Sequence, residues 1–316
     1  MSWKRSTLGR AATLCATIVV VVAAFPFPVA ADSPQPDVPG AVPWVPEGIS
    51  SDRFESHPAF DPRNGDLYFV RSTPSFSGWR IFTSHCGADG WSIPQPPPFA
   101  GDGVEADPWF TADGRSLYFI STRSSDGIRR EDLDLWRVDR DGDGNWGKPL
   151  RLPEPLNSTG REWFPRLAAD GWLYFGSDRS GGIGKTDIWR ARLAKNGGWQ
   201  VENAGPALNT TADEYEALPS PDGSFMILMT GDGLYRSDYA RGAWQPRVRL
   251  SDAINANGSE VGAMFSPSGR SLLFARDTKG EKSGEFFVWH MQGAEDWPPA
   301  CPRSTPGAAQ QASHGH

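Results

Sequence analysis

Cysteine and histidine are scarce, with three and five copies in 316 residues. No second histidine stands at a metal-ligand spacing from His57. The sequence has no His-Glu-x-x-His pair, no Gly-x-Ser-x-Gly elbow and no glycine-rich phosphate loop, which removes the recognisable zinc-hydrolase, serine-hydrolase and nucleotide-binding signatures. A clustered positive face is also missing: net charge is −7 and the basic residues are scattered. Phosphate backbones require such a face, so no nucleic-acid partner is expected, and anionic membrane surfaces are disfavoured for the same reason. Beyond the first residues there is no apolar run of the roughly 20 residues that a spanning helix needs.

The chain opens with Lys4, Arg5 and Arg10, then an apolar run from Ala11 to Phe25, then the small residues Ala30 and Ala31. This order is that of a secretory signal peptide over residues 1–31. Pro26 and Pro28 interrupt the run, against an uncleaved anchor, and Cys15 lacks the preceding small residues of a lipoprotein site. The mature chain is therefore expected in the periplasm or outside the cell, without a transmembrane segment. Cys86 and Cys301 remain in it. In an oxidising compartment they are expected to form one disulfide, the alternative being two unrelated thiols.

Glycine, proline and tryptophan are plentiful, with 35, 28 and 14 copies, and they recur in register. The second of five similar segments carries Glu105, Pro108, Phe110, Asp113-Gly114, Leu117-Tyr118-Phe119, Asp134-Leu135-Trp136 and Trp146. The third carries Glu162, Pro165, Asp170-Gly171, Leu173-Tyr174-Phe175, Asp187-Ile188-Trp189 and Trp199. The first has Glu55, Pro58, Phe60, Asn64-Gly65, Leu67-Tyr68-Phe69 and Trp91; the fourth and fifth keep Glu214 and Glu260, with Trp244 and Trp297 at their ends. The period is about 51 residues, in the range of propeller blades. Short aromatic runs bounded by Asx-Gly or Ser-Gly are strand and hairpin signals. The fold class is therefore all-β, a β-propeller of four-stranded antiparallel blades.

The Glu-x-x-Pro-x-Phe, Asp-Gly, Leu-Tyr-Phe, Asp-Leu-Trp string resembles the WD-like repeat of the TolB-like propeller family, over residues 53–302. TolB itself has an α/β domain before its propeller, and the 21 residues of segment 32–52 are too few to supply one. They are also too few for a sixth blade, the commoner number in that family, so five blades are expected. Trp44-Val-Pro46 resembles the outer strand of the other units and is expected to pair into the last blade and close the ring. Closure hides a strand edge and would bring Cys86 near Cys301. Residues 303–316 read as a disordered polar tail, in which His314 and His316 are adventitious metal ligands.

Five carboxylates, Glu55, Glu105, Glu162, Glu214 and Glu260, begin the innermost strands, so they are expected at one mouth of the channel. As a ring they would bind a cation or basic peptide; as structure they would pair with Arg71, Arg123, Arg179 and Arg276. The fourth unit has Gly231-Asp232 at the arginine position, which leaves Glu214 the freer ligand candidate. His57 lies at the same end. Asp139, Asp141 and Asp143 fit the start of a calcium loop, but the twelfth position is Leu150, which favours an acidic hairpin turn. No cofactor is otherwise expected. Phe76, Trp79 and Phe99 are candidate exposed aromatics for a sugar or peptide. These features point to a monomeric protein-, peptide- or glycan-binding module of the cell envelope and not an enzyme. The alternative is a polysaccharide hydrolase or lyase using paired carboxylates.

Overall fold

Turn chemistry places the chain reversals. At Asp113-Gly114 the glycine takes φ +64°, a conformation open to it at no steric cost. Asp113 accepts hydrogen bonds from the Arg115 N–H (3.0 Å) and the Thr111 hydroxyl (2.7 Å). The aromatic runs on either side pair antiparallel, Glu105–Phe110 with Ser116–Ser121. The computed structural model describes residues 40–125, 127, 132–255, 259–277 and 284–301. The expected signal peptide over residues 1–31, residues 32–39 and the expected tail fall outside the described residues.

The strands form a five-bladed β-propeller. Blade 3 is the most regular, with strands Glu162–Leu167, Leu173–Ser177, Asp187–Leu193 and Trp199–Asn203 hydrogen-bonded in that order. The innermost strands of the other blades are Phe54–Phe60, Glu105–Phe110, Glu214–Pro219 and Ser259–Phe265. Four of the five blades are tied to the one before by a backbone bond from the first glutamate. Glu105 N–H reaches Trp79 O (3.0 Å), Glu162 reaches Leu133 (2.9 Å), Glu214 reaches Thr186 (2.9 Å), and Glu55 reaches Gly284 of blade 5 (2.9 Å). The last of these carries the pattern across the seam.

The repeated Tyr and Trp cement neighbouring blades. Trp146 donates its indole N–H to the Tyr68 hydroxyl (3.0 Å), and Trp244 does the same to Tyr174 (3.1 Å). Buried aromatics whose polar tips find partners can be enclosed without a desolvation loss. A second recurrent device is a buried asparagine. Asn157, Asn209 and Asn255 each clasp both backbone groups of one residue in a third strand, Leu135, Ile188 and Leu234, at 2.7–3.2 Å. Each acts as a one-residue β partner and fixes the turn leading to the next blade.

Closure uses both ends of the described chain. Val42–Trp44 pairs antiparallel with Glu285–His290 and becomes the outer strand of blade 5. Cys86 and Cys301 form a disulfide with Cα atoms 5.7 Å apart. Around Phe60 the rings of Trp44, Trp91 and Trp297 converge at 6.1–6.3 Å, so three of the outer tryptophans pack at the seam.

Blade 1 departs from four strands. Its sheet has three, and Cys86–Gly87 with Gly90–Trp91 forms a separate two-stranded hairpin. The cause is the run Pro94-Gln95-Pro96-Pro97-Pro98, which supplies one backbone donor in five residues. That donor, Gln95, makes the lone bridge to Thr83. Trp146 and Trp297 also lie outside strands, so the Trp-led outer strand of the repeat holds for only some blades. No helix among the described residues is long and apolar enough to cross a membrane.

Candidate ligand cavity at the channel mouth

Four of the five glutamates are buried parts of the blades and do not line an open mouth; the side chain of Glu260 lies outside the described residues. Glu55, Glu105, Glu162 and Glu214 are buried, and each meets an arginine that also bonds a backbone carbonyl at the turn before the inner strand. Arg71 joins Glu55 (2.8 Å) to Ile49 O; Arg123 joins Glu105 to Phe99 O; Arg179 joins Glu162 (2.8 Å) to Leu156 O. Arg276 bonds Ile254 O at the equivalent place (2.9 Å), and its backbone faces Glu260 in the ladder. The guanidiniums lie over aromatic faces, Arg123 over Phe119 and Trp136, Arg179 over Phe175 and Trp189. Burial pushes the Glu55 and Glu162 carboxyls up, against the pull of these arginines and of Ser51 and Ser158.

Glu214, which the repeat leaves without an arginine, is paired after all. Arg247 arrives from the outer segment of blade 4, bonds Glu214 at 2.7 Å and stacks on Tyr235. It also bonds Leu208 O and the Thr210 hydroxyl, so the same bridge is built from a different strand.

The ladder register shifts just beyond the glutamate in all five inner strands. In four blades the bulge takes in the residue two positions on, His57, Asp107, Phe164 or Gly262, whereas in blade 4 it falls at Tyr215 and Glu216 is back in the ladder opposite Met229. Those four take left-handed φ: His57 53°, Asp107 56°, Phe164 50° and Gly262 59°. For a non-glycine residue this costs roughly 1–3 kcal/mol and clusters at functional sites. At Gly262 the glycine is also needed for space, because a Cβ would stand 2.5 Å from the His57 ring.

These bulged residues bond one another. His57 Nε2 meets Asp107 Oδ1 at 3.0 Å, and Asp107 Oδ2 accepts the Phe164 N–H at 2.7 Å. His57 Nδ1 meets the Ser56 hydroxyl at 2.7 Å, and its ring stacks on Phe164 (5.3 Å) and Phe76 (6.2 Å). Ser56, His57 and Asp107 are thus bonded in series like a nucleophile relay, yet Ser56 is fully buried and does not line the cavity that His57 and Asp107 border. Deeper still, Arg166 bonds Glu216 Oε1 at 2.6 and 3.1 Å, lies over Trp109, and is 2 % exposed. Glu216 Oε2 has no hydrogen-bond partner.

Above this floor opens a cavity of 460 Å³ to which all five blades contribute. Phe54, Phe76 and Trp79 come from blade 1, Trp163 and Phe164 from blade 3, and Tyr215 from blade 4. Its charged lining groups are Asp107, Asp213, Asp277 and Arg161. Arg161 is already bonded to Asp178 (2.8 and 2.9 Å) and stacked on Trp163. Of the sequence candidates, His57, Phe76 and Trp79 reach this cavity. Phe99 does not: it is 4 % exposed, packed among core rings.

The acidic turn does not converge on a cation. Asp139 faces Arg137 and Ser116, while Asp141 accepts the N–H groups of Asp143 and Asn145 and so closes its own turn. Among the described residues no group of three or more His, Cys, Asp or Glu side chains is placed to hold a metal ion.

Asp107, Phe164, Glu216 and Arg166 are absent from the sequence candidates. A signal existed. In the aligned repeats the position two beyond the glutamate is His, Asp, Phe, Glu or Gly, while the glutamate before it recurs in every unit. Arg166 likewise replaces Ala59, Trp109, Leu218 or Met264.

Burial pushes the Glu216 carboxyl above its ordinary value of 4.5, with Arg166 and His57 opposing. An acid whose folded value is raised stabilises the fold fully below its unfolded value, and this contribution is lost as pH rises through the folded value. Wild-type stability relative to Glu216→Gln should therefore decline as pH rises above the ordinary carboxyl value of 4.5. Urea midpoints of the two proteins over that rise measure it; a pH-independent difference contradicts the assignment.

No protein-family model and no curated protein matches the sequence. Among solved structures, a protein of Agrobacterium tumefaciens described as TolB is similar at 14 % identity, covering 72 % of this chain and 71 % of that one, with TM-score 0.47. The periplasmic gluconolactonase of Pseudomonas aeruginosa is similar at 15 % identity, covering 76 % and 73 %, with TM-score 0.44. A gluconolactonase of Xanthomonas campestris is similar at 10 % identity, covering 80 % and 94 %, with TM-score 0.45.

Proposed function

We propose that the protein is an exported, monomeric binding module of the cell envelope that holds part of a protein, peptide or glycan in the channel-mouth cavity. The supporting observation is one aromatic-walled cavity, lined by all five blades, whose floor polar groups are already bonded to one another. A preformed apolar cavity of a few hundred Å³ with few polar groups is the usual form of a ligand site. Bulges held in left-handed φ keep its floor rigid, which limits the ordering cost of binding. Export rests on the basic start, apolar run and small residues of the first 31 positions. No cofactor is needed for this role.

The hydrolytic alternative would draw on Asp107, Asp213 and Asp277, which border the same cavity. Asp107 has both oxygens engaged, which ill suits a group that must exchange a proton or attack. Thr186→Trp, on the rim, separates the readings. On glycan and peptide arrays the wild type should retain ligands that Thr186→Trp loses by at least about tenfold, the scale of one well-placed contact, at unchanged unfolding midpoint. Retention of every ligand by the blocked variant, or turnover of a retained glycan, would refute the binding role.

A further inference from the structure

We infer that the channel-mouth cavity recognises an organic cation, an ammonium group carried on an apolar stem; this rests on the cavity being the ligand site. Three classes of occupant meet this lining differently. A neutral polyol would give up many hydrogen bonds to water and needs replacements for each. The floor has none to offer, since Asp107 is bonded through both oxygens and His57 through both ring nitrogens. An anion would meet three aspartates and one arginine; that arginine is already held by Asp178, and the further cation nearby, Lys185, faces Asp213 at 3.9 Å in an exposed pair.

An organic cation fits both halves of the lining. Six rings line the walls; Arg161 already lies over Trp163 and Arg166 and the His57 ring over Phe164, which leaves Phe54, Phe76, Trp79 and Tyr215 as the rings that could receive a cation. The face of an aromatic ring attracts a cation, and most strongly where water is excluded. Asp213 and Asp277 stand at the edge and add attraction at longer range without demanding a fixed hydrogen-bond geometry. An uncharged hydrocarbon would fill the same walls but would desolvate those carboxylates with nothing in return. The molecule's net charge of −7 favours the approach of a cation as well.

The chemistry is shared by a free methylated ammonium and by a lysine side chain on a peptide, and the probes separate the two sources. Titrations of the full mature chain, followed by tryptophan fluorescence and calorimetry, would use choline, its neutral isostere 3,3-dimethylbutanol, Ac-Gly-Lys-Gly-amide, its norleucine counterpart, and N-acetylglucosamine. At least one cation should bind about tenfold or more tighter than its neutral counterpart, as expected for a desolvated cation–π site. Asp213→Asn with Asp277→Asn should weaken that cation at least about fivefold and leave the neutral probe unchanged. If the double variant loses its cooperative transition, Asp213→Asn alone is read instead.

Equal binding of charged and neutral isosteres, or tighter binding of N-acetylglucosamine, abolished by Thr186→Trp, would overturn the cation while leaving the cavity as the ligand site. Absence of any Thr186→Trp-sensitive binding, here and on the arrays, would overturn both.

Discussion

Reduction of the Cys86–Cys301 bridge is expected to lower stability by about 5 kcal/mol, the chain-entropy value for a loop of this size. The bridge spans a sequence separation of 215 residues and so encloses nearly the whole ring. It tethers the two-stranded hairpin of blade 1 to the segment after blade 5, across the seam where the inner strands of first and last blades meet. The competing tie there is short, since the closing strand Val42–Trp44 has only three residues. Losing the bridge should therefore uncouple the ends as well as widen the unfolded ensemble. Guanidinium midpoints of the oxidised protein and of Cys86→Ser/Cys301→Ser, compared at equal m-value, provide the measurement. A difference under about 1 kcal/mol would mean that strand pairing and the Phe60 cluster hold the seam alone.

Replacement of Arg166 by Met should cost about 3–5 kcal/mol, the range for stranding one partner of a buried ion pair. Arg166 and Glu216 are almost completely enclosed. Glu216 already lacks a partner for Oε2, so loss of the guanidinium leaves a buried carboxyl group without the donor that bonds its Oε1. Because the desolvation of both ions is so large, replacing the pair together should recover most of the loss. A double-mutant cycle with Glu216→Leu tests this. If Arg166→Met and the double variant unfold at the same midpoint, the cost lies in packing against Trp109 and the ion pair is irrelevant to it.

The blades were legible because their determinants are local. Asx-Gly turns, the Leu-Tyr-Phe runs and a regular period each occupy a few adjacent residues, and each acts within its own hairpin. The glutamate–arginine pairing was legible in part. Arg71 stands directly opposite Glu55 in the ladder, whereas Arg123 and Arg179 lie two residues past the position opposite Glu105 and Glu162. Side chains of that length reach the same carboxylate from either place. In blade 4 the guanidinium comes from Arg247, 33 positions after Glu214 in the sequence, and no strand-end pattern reaches so far. The cavity was the least legible element. Its floor joins His57 to Asp107 and Arg166 to Glu216, each pair about one repeat apart, and only the ring geometry makes them neighbours. The asparagine clasps were missed for another reason. Leu156-Asn157, Leu208-Asn209 and Ile254-Asn255 recur, but an asparagine in a loop resembles any turn residue until its amide is seen against a strand.

The placement of the cavity has a consequence for when the protein becomes competent. Phe54 belongs to the first blade and Asp277 to the last, and both border the same cavity. The pocket therefore does not exist in a chain whose final blade is still unmade, however well the earlier blades have formed. Recognition is in this sense a report on completeness: a ligand held there touches the beginning and the end of the ring at once. By mass action it stabilises the closed form over any in which the seam has parted. Occupancy should slow the opening of the seam first, before any blade interior, and amide exchange at Val42–Trp44 is where that protection would be seen.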